Sequence, residues 1–228
     1  MKKRFVVAGA GGVADRIHLP ACRMVGEIEV VGISDLDAEV ARKAAAKFGI
    51  AGVYTGLDRM LDETRPDAVI VGTPPASHFE ICRTSFDAGA DVFCEKPFMP
   101  TVDDADRIID LAAQHGRLLR VNNQYRYMTV YARVAERLRA GEFGRLYAIQ
   151  AWQQMFHPPA RETNWRNQLR QYTLFEFGTH ALDLACFFFD SLPDSVSANT
   201  PKHPDYDADV LVQAAVRFPG ERLASFFM

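Results

Sequence analysis

The sequence predicts an α/β domain with a parallel sheet over residues 1–123, followed by an α+β domain over residues 124–228. Three observations predict it. Short apolar, β-branched runs alternate with amphipathic stretches throughout the first half. Those runs are apolar at consecutive positions, as expected of strands covered by helices on both faces. The alternation stops near Asn123, beyond which strand-like runs gather around one very apolar helix. With 228 residues, 48% of them hydrophobic, the chain can furnish two modest cores.

The first domain is expected to have strands at 4–8, 29–33, 68–71, 91–94 and 118–121. Helical periodicity fills 13–25, 37–48, 77–88 and 101–115, and the Thr101–Asp104 spacing is close to a capping box. Parallel strands joined by such helices imply right-handed crossovers. In the second domain a helix over 130–140 stops near Gly141 and Gly144, and a strand-like run follows over 145–155. A polar, irregular segment at 157–171 leads into the apolar helix at 174–189, and strands are expected at 195–199, 210–218 and 223–228. Runs of strands with one or two helices describe an α+β domain.

Composition narrows the function classes. A net charge of −3, with Lys and Arg scattered, gives no footprint for nucleic acid. The opening MKKRFVVAGAGG sets basic residues before an apolar run, but glycines break that run too early for a signal peptide, and no stretch is long enough to span a membrane. Cys22, Cys82, Cys94 and Cys186 show no paired spacing for disulfides or zinc. Reduced thiols in a cytoplasmic protein are expected, with no metal.

Two segments carry chemistry in the first domain. Val6-Val7-Ala8-Gly9-Ala10-Gly11-Gly12-Val13-Ala14 follows a strand, opens a helix and reads as G-x-G-x-x-A. Gly9 and Gly11 allow a tight turn and close approach to a pyrophosphate, and Ala14 allows close helix–strand packing. The N–H groups of Gly12, Val13 and their neighbours would bind phosphate at the helix start. Asp35 ends the second strand about twenty positions further on, where an acidic group holds ribose hydroxyls. Alone, the glycines could equally form an ordinary strand-to-helix turn. Together with Asp35 they predict a dinucleotide, and Leu36, with no arginine before Arg42, favours NAD over NADP. The second segment is Cys94-Glu95-Lys96-Pro97, at the carboxyl end of a strand, where open parallel sheets bind ligands. An ammonium there can stabilise an alkoxide or transfer a proton. A surface lysine closing a strand is the alternative. Pro97 makes the preceding bond a candidate for the cis form.

In the second domain Glu176, His180 and Asp183 share one helix face at i, i+4 and i+7. Ionisable groups on so apolar a helix need partners or a cavity. His180 is read as a general base, and Glu176 as orienting it or binding a hydroxyl. A helix face hydrogen-bonded to neighbouring loops is the alternative, and Asp183 is read as structural. Trp165, with Arg166, Asn167, Gln168 and Arg170, suits a polyhydroxylated or acidic ligand and suits a surface loop equally well.

Three stretches, AGAGGVADRIHLPA, VGTPPASHFEICRTSFDAGADVFCEKP and VNNQYRY, resemble the glucose–fructose oxidoreductase/inositol dehydrogenase/rhizopine catabolism (Gfo/Idh/MocA) family. The resemblance implies a Rossmann domain followed by an α+β domain with an open mixed, mostly antiparallel sheet. It also implies an NAD(P)-dependent oxidoreductase acting on a sugar-like or polyol alcohol or carbonyl. Carried over by position, Thr73, Pro74 and His78 line the nicotinamide side, although His78 also suits an ordinary helix start. Glu95 and Lys96 match the family's lysine motif, Lys96 being catalytic. Asn123 lies by the cofactor and Arg126 near the substrate; Trp165 and Tyr172, read from this sequence itself, are expected on the substrate side. The chain departs from the family pattern in carrying Glu176 where Asp is usual and Tyr172 where small residues are common. Family members usually continue beyond this chain's end and often pair through the open sheet. A homo-oligomer is therefore expected, with the second domain incomplete as a fragment, a shortened member or one completed by a neighbour. A non-catalytic dinucleotide sensor on the same scaffold is the alternative function.

Overall fold

The computed structural model describes residues 1–154, 171–201, 209 and 211–228, which divide into two units, Met1–Asn122 and Asn123–Met228.

In the first unit the apolar runs become β1 (Lys3–Ala8), β2 (Ile28–Ser34), β3 (Gly52–Tyr54), β4 (Ala68–Val71), β5 (Asp91–Cys94) and β6 (Leu119–Val121). All pair in parallel, in the order β3-β2-β1-β4-β5-β6. Parallel neighbours require crossovers. These are supplied by α1 (Leu19–Met24), α2 (Ala38–Phe48), α3 (Leu57–Thr64), α4 (His78–Asp87) and α5 (Val102–Gln114). Alternation along each strand splits the core in two. Val6, Ala8, Val69, Val71 and Val92 pack against Met60, Cys82, Phe86 and Ile108, while Val7, Ile33 and Ile70 pack against Leu19, Ala41 and Ala45. Strand order reverses between β1 and β4, so the carboxyl ends of these strands border the crevice where doubly wound sheets take ligands.

Local signals set the helix ends. The Thr101 hydroxyl accepts the Asp104 N–H at 3.1 Å and donates to its carboxylate at 2.8 Å, while Asp37 caps α2 through the Glu39 N–H at 2.8 Å. Two elements were not foreseen. β3 has three residues and begins with glycine, and α3 has eight, so neither is long enough to display a clear period. The first helix, expected to be uniform, opens through a π-helical turn, Ala14–His18.

The second unit contains α6 (Thr129–Arg139), β7 (Ala148–Trp152) and a π-helical turn (Leu174–Gly178) that runs into α7 (Thr179–Phe189). It ends with β8 (Ser195–Asn199), β9 (Gln213–Phe218) and β10 (Arg222–Phe227). The sheet order is β7-β10-β9-β8, with β7–β10 parallel and the other pairs antiparallel. Ala214, Val216 and Phe218 alternate toward α7, where Phe218 packs on Phe189 at 4.7 Å. Arg222 ties the end of α7 to the sheet, donating to the Phe189 carbonyl at 2.6 Å and to Ser191 at 2.9 Å. Among the described residues no helix is long and apolar enough to cross a membrane.

Candidate functional site

The glycine turn is built by backbone contacts that exclude side chains. Gly9 has φ +92° and donates its N–H to Ser34 at 2.8 Å, and a Cβ there would lie 2.9 Å from the Gly72 carbonyl. Only glycine fits. A Cβ on Gly11 would meet nothing within 4 Å, which leaves that side of the turn open. At Gly12 it would meet the mobile end of Arg16. Ala14 is fully buried, as close helix–strand packing requires. The first helical bond runs from the Asp15 N–H to the Gly11 carbonyl, so the N–H groups ahead of it, those of Gly12, Val13 and Ala14, face off the helix end beside the positive pole of its dipole. A pyrophosphate fits this cradle through backbone donors alone. Asp35 does more than expected: its carboxylate accepts the Ala10 N–H at 2.8 Å and the Asp37 N–H at 3.0 Å, so it braces the turn. Each oxygen retains a lone pair for a ribose hydroxyl.

Beyond β4, the Ser77 hydroxyl donates to Thr73 at 2.8 Å and Pro74 precedes the short turn that leads into α4. His78 is fully buried. Its Nδ1 lies 2.9 Å from the Phe98 carbonyl and its Nε2 lies 2.8 Å from the Thr73 carbonyl. Both ring nitrogens are committed to backbone, so any influence on a cofactor passes through Thr73.

At the end of β5 Glu95 is buried and surrounded by donors. His18 Nε2 lies 2.8 Å from Glu95 Oε1, Asn122 donates to the same oxygen at 2.7 Å, and the Lys96 N–H reaches Oε2 at 3.1 Å. Burial pushes the Glu95 carboxyl upward, but the hydrogen bonds from His18 and Asn122, the charge of His18 and the Lys96 N–H outweigh it, leaving the carboxyl below the usual range. With its oxygens engaged by these donors, Glu95 links the backbone of Lys96 to His18 and Asn122. Lys96 is half-buried, and its bond to Pro97 is cis. The neighbouring Cys94 thiol, hydrogen-bonded to Cys82 and buried, is pushed far up and is inert toward thiolate chemistry. All four cysteines are free thiols.

In the second unit Asp183 is an anchor. It accepts Arg126 Nε at 2.8 Å, Arg126 Nη2 at 2.6 Å and Asn123 Nδ2 at 2.9 Å. These bonds fix the turn Gln124–Tyr127, which lays the Tyr125 ring on the His180 imidazole at 4.1 Å and 5°. Tyr131 stacks behind Tyr125 at 5.7 Å, and His180 is buried. Asn123 and Arg126, expected at the ligand, are thus held by the residue read as structural. Glu176 is half-buried in the π-helical turn, where the i, i+4 geometry of a regular helix does not apply. Tyr172 packs edge-on against Phe177. Asp209 caps the same helix, accepting the Thr173 N–H at 2.8 Å. Trp165 lies outside the described residues. His18, Asn122 and Tyr125 have no role assigned from sequence, although all three stand inside the stretches that carry the resemblance. No spacing rule links His18 to position 95.

Comparison with known proteins covers both units. The family model for the Gfo/Idh/MocA oxidoreductase family, NAD-binding Rossmann fold, matches residues 3–123, and that for the family's C-terminal domain matches residues 131–228. An uncharacterized oxidoreductase, ORF334, of Rhizobium meliloti is 28% identical over 97% of this chain and 66% of its own. The dTDP-3,4-didehydro-2,6-dideoxy-alpha-D-glucose 3-reductase of Streptomyces violaceoruber is 31% identical over 82% of this chain and 55% of its own. The chain spans about half to two thirds of the length of these relatives. The WlbA dehydrogenase from Bordetella pertussis, solved in complex with NADH and UDP-GlcNAcA, shares the fold at a TM-score of 0.90 and 24% identity, over 100% of this chain and 72% of that one.

Proposed function

The chain belongs to the Gfo/Idh/MocA family of oxidoreductases, its first unit being the NAD-binding Rossmann domain, and on that premise we propose that it transfers hydride between a nicotinamide and the carbinol carbon of a sugar-like or polyol substrate. One observation carries the reading. The glycine turn at Gly9–Gly11 and the braced Lys96 loop belong to the same sheet, each at the carboxyl end of a parallel strand.

The nicotinamide, when bound, supplies the site that takes or gives hydride. The Gly11–Ala14 backbone would hold the pyrophosphate, Asp35 would receive the ribose hydroxyls, and Thr73 and Pro74 would border the nicotinamide side. Leu36, 96% exposed beside Asp35, offers no charge to a 2′-phosphate, and NAD is preferred over NADP. In the oxidative direction the substrate C–H leaves as hydride and the hydroxyl proton passes to His180. Lys96 offsets the negative charge that develops on the substrate oxygen. Asp183, through Arg126 and Asn123, keeps Tyr125 under the His180 ring and so limits its rotation. Glu176 and Tyr172 shape the substrate side, with Arg126. Subunits pair through the exposed face of the four-stranded sheet, where Trp152 is 76% exposed.

The test is a fluorescence titration with NADH and with NADPH, followed by a screen of sugars and polyols for NAD reduction by the wild type and Lys96→Ala. Tighter NADH binding, with turnover lost in the variant, is expected. Turnover unchanged by Lys96→Ala removes Lys96 from the chemistry. The second reading, a dinucleotide sensor without turnover, is favoured by Glu176 and Tyr172 in place of the family's usual residues. Saturable NADH binding with no turnover across the screen would support it.

A further inference from the structure

We propose that His18 is a positioning residue for Lys96, acting through the carboxylate of Glu95. The proposal rests on the reading of Lys96 as the group that meets substrate, and it adds a residue from a distant part of the chain. A carboxylate removed from water must be matched by donors. Glu95, 6% exposed, is met in three places: by His18 Nε2 in ion-pair contact at 2.8 Å, by the Asn122 amide at 2.7 Å and by the N–H of Lys96 itself at 3.1 Å. His18 closes the π-helical turn that follows the glycine turn, and Asn122 follows β6. The hub therefore ties the phosphate-cradling helix to the lysine loop.

Its members are held from behind as well. The Phe93 ring meets the His18 imidazole edge-on at 5.9 Å, and the Asn122 N–H donates to the Cys94 carbonyl at 2.8 Å. His18 itself is 5% exposed, so it does not meet bulk substrate. The π-helical turn matters here, because the extra residue it adds to a turn rotates the side chains that follow it. A regular helix from Gly12 would present a different residue to Glu95. One carboxylate oxygen is set by His18 and Asn122, and the other holds the peptide N–H of Lys96. Removing His18 frees the carboxylate to rotate and releases the constraint on the Lys96 backbone, from which the ammonium is carried.

The experiment is competitive acylation of the full chain by trace acetic anhydride over a range of alkaline pH, with peptides quantified by mass spectrometry. The rate at Lys96 is divided by that at the exposed Lys43. His18→Leu, which removes the donor, should change this ratio at least about threefold, equivalent to roughly half a pKa unit. His18→Gln, whose amide nitrogen can take the place of Nε2, should return it to within about twofold of wild type. A fall in melting temperature with an unchanged ratio overturns the proposal, as does a ratio that His18→Gln fails to restore. If circular dichroism shows that His18→Leu does not fold, Asn122→Ser decides: it removes a second donor from the same oxygen, and an unchanged Lys96 ratio there overturns the proposal. The readout needs no substrate. Lys96→Ala with full turnover would defeat the catalytic reading, whereas an unmoved acylation ratio would defeat only the role of His18.

Discussion

Asp183 is the residue whose removal should say most about the second unit. Its side chain is 11% exposed and accepts both Arg126 nitrogens at 2.8 and 2.6 Å, as well as Asn123 at 2.9 Å. Asp183→Ala strands a guanidinium and an amide. Truncating one partner of a fully buried pair costs about 3–5 kcal/mol. Arg126 is 37% exposed, however, so water recovers part of that loss, and about 2–3 kcal/mol is the expected cost. Urea unfolding followed by tyrosine and tryptophan fluorescence measures it.

A double-mutant cycle with Arg126→Ala isolates the pair. Its coupling energy should be about 1–2 kcal/mol, since residues sharing one hydrogen-bonded network are far from additive. Near-ultraviolet circular dichroism should weaken in both single mutants, because the Tyr125–His180 stack depends on the turn that Asp183 fixes. A coupling below about 0.5 kcal/mol, the scatter of independent sites, would refute the anchor and return Asp183 to a passive role. Loss of stability with the tyrosine dichroism unchanged would separate the ion pair from the ring stack.

Further perturbations test the first unit. Gly9→Ala places a Cβ 2.9 Å from the Gly72 backbone at φ +92° and should cost about 2–5 kcal/mol by urea denaturation. Gly11→Ala, directed into open space, should leave stability within about 0.5 kcal/mol yet abolish NADH binding in a fluorescence titration; retained binding would place the phosphates elsewhere. Asp35→Ala should weaken NADH at least about tenfold and also lower the urea midpoint, because the same carboxylate accepts the Ala10 N–H. Glu95 sets an acid limb. Its folded pKa lies below the unfolded value, so its contribution is fully present above about 4.3 and is lost as pH falls through the lower folded value. Urea midpoints of wild type should fall across that window more steeply than those of Glu95→Gln, and parallel curves would contradict the direction of the shift.

What was legible in the sequence follows the range of the forces involved. β4 is four consecutive buried residues, and its composition alone declares a strand covered on both faces. The cap at Thr101 is a contact between residues three apart, so spacing contains it. Gly9, Gly11 and Ala14 are legible because a tight turn permits few residues, and the turn lies within one short segment. β3 was not legible, because three residues beginning with glycine derive their strand conformation from Ile33 and Ser34 next to them, not from their own pattern.

The site residues divide along the same line. Lys96 is announced by its place at a strand end, but what holds it is not. Position 18 meets position 95, and 95 meets 122, only after the crossovers of the parallel sheet have brought separate strand ends together. A histidine after a glycine turn has no local reason to be buried; it acquires one from a carboxylate that needs a donor. Asp183 is the same case: its sequence reading as structural agrees with its contacts, but its partners lie on the turn that carries Asn123 and Arg126, which no spacing along its own helix contains. Periodicity identifies which residues face inward, while the partner of a buried charge is set by topology. It follows that the bracing residues of each unit are read best from satisfied carboxylates, Glu95 in the first and Asp183 in the second, each an acceptor matched by donors from distant segments.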